Sequence, residues 1–116
     1  MEEERKKYDE EVKDAKNILR PEPDIKTPGV CFIKIISADR ERSWERRFLK
    51  SDKISTLYVF AKSLGREIFM EPDATDFDIL AGGFPPKSLN SKKNNTLEQE
   101  GLFPNAEVQI KEEQTF

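Results

Sequence analysis

Ser55-Thr56-Leu57-Tyr58-Val59-Phe60-Ala61-Lys62-Ser63-Leu64-Gly65 is the stretch on which the fold turns. Leu57, Phe60, Ala61 and Leu64 fall at i, i+3, i+4 and i+7, so a helix here carries one apolar face. Ser55 suits the N-cap. Ile54 and Val59 stand where a hydrophobic staple would. Gly65 suits the left-handed position just beyond the helix. A helix with one apolar face must be covered by a sheet or another helix. The sequence on either side decides which.

Upstream, Val30–Ile36 reads as a strand: Cys31, Ile33 and Ile35 share one face, and Phe32, Lys34 and Ile36 the other. Asp39–Arg42 is a charged turn, and Ser43–Leu49 is a second strand, so the pair forms a β-hairpin. Downstream, Asp76–Leu80 is a short third strand with Phe77 and Ile79 on one face. The Gly82–Pro86 loop and a polar, turn-rich run over Lys87–Asn95 follow. Thr96–Leu102 reads as a short helical turn capped by Thr96, and Ala106–Lys111 as the last strand. The order β-β-α-β-turn-β predicts an α+β domain in which one helix crosses one face of a sheet.

Residues 2–19 are rich in Glu, Lys, Arg and Ala and read as a helix. Tyr8, Val12, Ala15 and Leu19 form a narrow seam, and Glu3 with Lys7 and Asp9 with Lys13 stand at i, i+4. The seam fits either a solvated helix with a marginal stripe or the end of a longer coiled coil. Arg20-Pro21-Glu22-Pro23-Asp24 stops the helix, because proline lacks the donor and biases its predecessor towards extended backbone. The expected division is a charged helix over 1–20, a Pro-containing linker over 21–29, the folded domain over 30–111 and a tail over 112–116.

Composition narrows the function. In 116 residues the net charge is −3, so nucleic acid is not the expected main partner. There is one Cys and no His, which leaves neither an internal disulfide nor a standard zinc set. Cys31 is expected to be a buried small hydrophobe, with no base nearby in sequence to make it a nucleophile. The acids Glu71, Asp73, Asp76 and Asp78 lack the ligand spacing of a calcium loop. Gly65-Arg66-Glu67 lacks the glycines of a phosphate cradle. No catalytic group, metal or cofactor is therefore expected. No stretch reaches the roughly 20 apolar residues of a membrane span. The expected location is the cytoplasm or nucleus, with the cytosolic face of the endoplasmic reticulum open to a larger parent protein. Arg40, Arg42, Arg46 and Arg47 cluster around the hairpin, either as solvated charge paired with Asp39, Glu41 and Glu45 or as a basic rim for an acidic partner.

Gly83-Phe84-Pro85-Pro86 carries the strongest functional signal. Read alone, Phe84 fits a core position at a strand end followed by a turn. An aromatic ring held by proline in a surface loop also suits another protein's pocket, and the family resemblance given below favours the second reading. Buried aromatic anchors are frequent hot spots. Pro85 restricts the loop before docking, so less entropy is lost on binding.

Three segments in order resemble the UBX domain, a ubiquitin-like β-grasp. They are Glu45-Arg46-Arg47-Phe48-Leu49 leading into Ser51-Asp52-Lys53-Ile54, Phe84-Pro85 after the third strand, and Thr96-Leu97-Glu98-Gln99-Glu100-Gly101-Leu102-Phe103-Pro104-Asn105-Ala106. The resemblance covers about residues 30–111. The linker Arg20-Pro21-Glu22-Pro23 after a charged helix resembles the Fas-associated-factor branch. It implies a non-catalytic adaptor that docks on the N-terminal domain of the hexameric AAA ATPase valosin-containing protein and links it to ubiquitylated clients. In that family a Phe-Pro-Arg loop enters a cleft between two lobes, and a basic residue on the first strand assists. Phe84 and Pro85 match, with Gly83 allowing the turn. Two positions depart: Pro86 stands where the family has a basic residue, and Lys34 where it usually has Arg. Lys34 keeps the charge without the bidentate fork, and Lys87 stands ready to supply the charge that Pro86 lacks. The family loop also suggests a cis Phe84–Pro85 bond. The expected state is monomeric. The alternatives are a ubiquitin-like interaction domain with a different partner, self-association through the helical seam, and a conjugated modifier. The last is disfavoured by an ending of Glu113-Gln114-Thr115-Phe116 in place of Gly-Gly.

Overall fold

A computed structural model describes residues 2–70, 74, 76–82 and 85–113, with side chains from Lys6 onward. The hairpin forms where the alternation placed it. β1 (Val30–Ile36) and β2 (Ser43–Leu49) pair antiparallel, from Val30 opposite Leu49 to Ile36 opposite Ser43. The crossing helix α2 runs Ile54–Ser63. β3 (Asp76–Ala81) runs one residue longer than the pattern predicts. The last strand, β5 (Asn105–Glu113), lies parallel to β1, with Ile35 opposite Val108, and antiparallel to β3, with Ile79 opposite Ile110.

Between β3 and β5 lies a strand that the sequence did not announce. β4 is Lys87–Ser88, two exposed residues paired to Ala81 and Leu80. It has no apolar alternation to betray it. Its anchor is the next residue, Leu89, which is buried and whose N–H donates to the Ile79 carbonyl at 2.9 Å. The five strands order as β2-β1-β5-β3-β4.

The inward sheet face carries Cys31, Ile33, Ile35, Phe48, Ile79, Val108 and Ile110, all buried, and α2 covers it with Ile54, Leu57 and Ala61. Phe60 and Leu64, also on the predicted apolar face, pack at the edge of this core. Phe48 and Phe60 meet edge to face at 5.8 Å. The Cys31 thiol lies in this core, donates to the Leu102 carbonyl at 3.3 Å, and is pushed up to about 11, mainly by burial and then by the Asp52 charge.

The N-cap of α2 is Lys53, not Ser55, and no side chain caps it. Its first free N–H groups are taken by backbone instead: Ile54 donates to Asn95 and Ser55 to Lys93, at 2.8 and 3.1 Å. Gly65 is in the left-handed region at φ 72°, as expected, and opens a 3₁₀ turn over Gly65–Ile68. Thr96 does cap its turn. Its Oγ1 accepts the Gln99 N–H while Gln99 Oε1 accepts the Thr96 N–H, the reciprocal pattern of a capping box.

The N-terminal helix α1 (Glu2–Ile18) lies against α2. Tyr8, Val12 and Ala15, three of the four seam residues, are buried there. Tyr8 donates to the Gly65 carbonyl at 3.3 Å and meets Phe69 edge to face at 5.4 Å. Its hydroxyl is pushed above the ordinary tyrosine range by burial, against the opposing pull of Arg66. Lys62 and Arg66 lie 5.7 and 5.4 Å from its ring and pair with Glu11 and Asp9. The seam is thus closed by its own chain. A self-association surface built on it would have to undo this packing first.

Candidate functional site

The sheet has one covered face and one open face. On the open face β1 presents Phe32, Lys34 and Ile36, β2 presents Glu45 and Arg47, and β5 presents Asn105, Glu107 and Gln109. Phe32 is 42% exposed, unusual for an aromatic residue in mid-sheet, and marks this face as one that can accept an apolar group. Around it lies a shallow groove of about 700 Å³ lined by Glu22, Phe32, Lys34, Glu45, Arg47 and Glu107 among others.

Lys34 stands in this groove, half-buried, directly opposite Glu45 on one side and Glu107 on the other. Its charge therefore acts between two carboxylates and not on a basic field. The loop after β3 starts level with it. Ala81 pairs with Val108, Val108 with Ile35, and the next rung holds Glu107 and Lys34. Two strand spacings, about 10 Å, separate Lys34 from the line of β3.

Gly82, Pro85, Pro86 and Lys87 are exposed, and Gly82 and Lys87 line a second groove that reaches Glu107. Gly83 and Phe84 lie outside the described residues, and so does the Phe84–Pro85 bond. The described chain does hold a cis Phe-Pro bond elsewhere, at Phe103–Pro104. Of the sequence-predicted site residues, Lys34 lies on the open face, whereas Lys87, in register with Ala81 and Val108, belongs to the other side of the sheet at its β4 edge, with Pro85 and Pro86 exposed just before it.

A polar chain fixes the far arm of this loop, and the sequence reading missed it. Asp78 on β3 accepts the Tyr58 hydroxyl from α2 at 2.7 Å and the Ser88 hydroxyl from β4. Burial alone would raise the Asp78 carboxyl. The donors Ser88, Tyr58 and the Ile79 N–H nevertheless hold it below its ordinary value. Burial and then the Asp78 contact push the Tyr58 hydroxyl above the ordinary tyrosine range. Lys93 lies 4.5 Å over the Tyr58 ring. Tyr58 lies on α2, yet its hydroxyl reaches round the sheet edge. Spacing along the sequence gives no signal for that.

Two of the four hairpin arginines, Arg46 and Arg47, are committed to the linker. Arg47 Nε donates to the Pro23 carbonyl at 2.8 Å, and its N–H donates to Glu22. Arg46 lies over the Phe48 and Phe60 rings at 4.8 and 5.5 Å and donates to the Arg20 carbonyl. Neither sequence reading of the cluster foresaw this: these cations hold residues 20–23 against β2.

This sheet order, with one crossing helix and an open face, is that of a ubiquitin-like fold. The UBX domain family model matches residues 26–112. The chain belongs to the UBX domain family. A solved structure described as the solution structure of the UBX domain of D0H8S2298E protein superimposes with a TM-score of 0.65. It is 19% identical, over 84% of this chain and 83% of that one, a likeness of fold. No curated protein matches the chain with significance. The family match starts at residue 26, so α1 lies upstream of the matched segment and docks on an α2 that lies within it. As a UBX domain, the chain has a ubiquitin-like protein-binding fold of a generally non-catalytic kind. Among the described residues no group of three or more His, Cys, Asp or Glu could hold a metal ion, and no helix is long and apolar enough to cross a membrane.

Proposed function

We propose that this UBX domain is an adaptor that docks on the N-terminal domain of the AAA ATPase valosin-containing protein and so connects it to ubiquitylated clients. Phe84 is the anchor, Gly83 and Pro85 shape the loop, and Lys34 and Lys87 supply supporting charge. The proposal puts the chain in the cytosol or nucleus. The observation that carries it is the register of the sheet. The loop after β3 starts at the level of Lys34, which is half-buried on the open face, and the loop's far arm, Pro85-Pro86-Lys87, is exposed at the β4 edge of the same sheet. A partner with a cleft for the loop meets Lys34 and the exposed Phe32 on the same approach.

The departure at Pro86 changes the chemistry of the loop. Pro86 offers neither charge nor donor, and Lys87 is the first cation available beyond it, exposed on β4. Titration calorimetry against the isolated ATPase N-domain tests the reading. The chain is expected to bind in the micromolar range, and Phe84→Ala to abolish binding with the fold intact. Unchanged binding by Phe84→Ala would mean that the loop is not the anchor. No binding by either chain would assign this face to a different partner.

A further inference from the structure

The Ser88 clasp sits where a modification would act on the loop. We propose that Ser88 is a phosphorylation switch: a phosphoryl group on its Oγ releases the Pro85–Lys87 arm from the sheet edge and weakens docking through the loop. The docking half of this inference rests on the function proposed above. The release half does not.

The structural grounds are local. Ser88 is exposed and lies on the edge strand, in an element of two residues. So short an edge element opens locally at little cost, which gives an enzyme access to an extended segment. Its hydroxyl proton is the clasp, donated to Asp78 Oδ2, while its Oγ also accepts the Asn90 N–H at 3.2 Å. Asp78 is fixed from the other side by Tyr58 and the Ile79 N–H, so it cannot readily turn away.

The chemistry converts this contact from attraction to repulsion. The Ser88 O–H bond breaks and an Oγ–P bond forms. The bond from the γ-phosphorus of a nucleoside triphosphate to its bridging oxygen breaks, and the nucleoside diphosphate leaves with the electron pair. The hydroxyl proton passes to the base of a serine/threonine kinase. The product has lost the proton that Asp78 accepted and carries a charge of roughly −1.5 to −2 beside that carboxylate. The groove on the other side, about 530 Å³, is lined by Lys87 and Lys92 but also by Glu100 and Glu107. The phosphate therefore swings from Asp78 towards Lys87 and Lys92. That movement draws the arm out of register and neutralises Lys87, one of the cations assigned to docking.

Phosphoserine placed at position 88 by an expanded genetic code tests this with two readouts. The first is hydrogen exchange at the Leu89 amide, which bonds the Ile79 carbonyl at the end of the clasp. It should speed up by about tenfold or more with phosphoserine 88. Asp78→Asn combined with phosphoserine 88 should restore much of the protection, because the repelling charge is gone. Phosphoserine at Ser91, exposed in the next turn, should leave Leu89 unchanged. The second readout is calorimetric affinity for the ATPase N-domain, which should fall by about tenfold. Unchanged Leu89 exchange with phosphoserine 88 would overturn the inference whether or not the ATPase domain binds. Faster exchange with equal affinity would overturn its docking half. Faster exchange in a chain that never binds the N-domain would leave the release standing and remove the proposed partner.

Discussion

The two faces of the sheet obey opposite rules. The covered face is closed twice, first by α2 and then by α1 over α2, and its side chains are apolar, interlocked and dry. The open face carries Phe32, Lys34, Glu45, Arg47 and Glu107 on the same strands, with an aromatic ring left to solvent. Alternation along β1 builds both at once: Cys31, Ile33 and Ile35 go inward, Phe32 and Lys34 outward. Stability is therefore concentrated on one side of a single layer, and recognition is left to the other.

That division is tested most sharply by truncation on the covered side. Phe48→Ala removes a fully buried ring that touches Phe60 and Arg46, and should cost about 3–5 kcal/mol in urea unfolding. A loss below about 1 kcal/mol would mean that this face is not the folding core.

Alkali tests the same face chemically. The Cys31 thiol is raised by burial from an ordinary value of 9.0 to about 11, so between those values the folded chain holds a proton that the unfolded chain releases. Its contribution is complete below about pH 9 and is lost as pH climbs towards 11. Unfolding free energy should fall across that window, by at most about 1.4 kcal/mol per pH unit from this group. Cys31→Ala should flatten the slope. A thiol reagent at pH 8 should react slowly with the native chain and fast in urea.

Smaller effects separate α1 from the rest. Tyr8→Phe keeps the ring and removes the bond to the Gly65 carbonyl, and should cost about 1 kcal/mol. No change would mean that α1 docks by its apolar stripe alone. The smallest effect belongs to the open face. Phe32→Ala should move stability by no more than about 0.5 kcal/mol while reducing partner affinity. A large loss of stability would show that Phe32 is structural and break the comparison.

The covered face was the legible one. The Cys31, Ile33 and Ile35 face of Val30–Ile36 and the i, i+3, i+4, i+7 stripe of α2 report burial directly. What escaped was held by contacts between distant segments. β4 is fixed by Leu89 and the Asp78–Ser88 bond, not by a pattern of its own. The start of α2 is capped by the carbonyls of Lys93 and Asn95, so Ser55 had no work to do there. The seam of α1 reads as a stripe, but nothing in its spacing says whether α2 or another chain covers it. At the site, Lys34 and the proline loop were legible through a resemblance to a family. The two glutamates that flank Lys34 come only from strand register.

The most direct test of the account is a map of partner contact by amide NMR, titrating the labelled chain with the ATPase N-domain. The account predicts shifts at Phe32, Lys34, the 82–88 segment and Glu107, with Val12, Ala15 and Lys62 unmoved. Shifts centred on Val12, Ala15 and Lys62 would contradict it and make the helical side the binding surface.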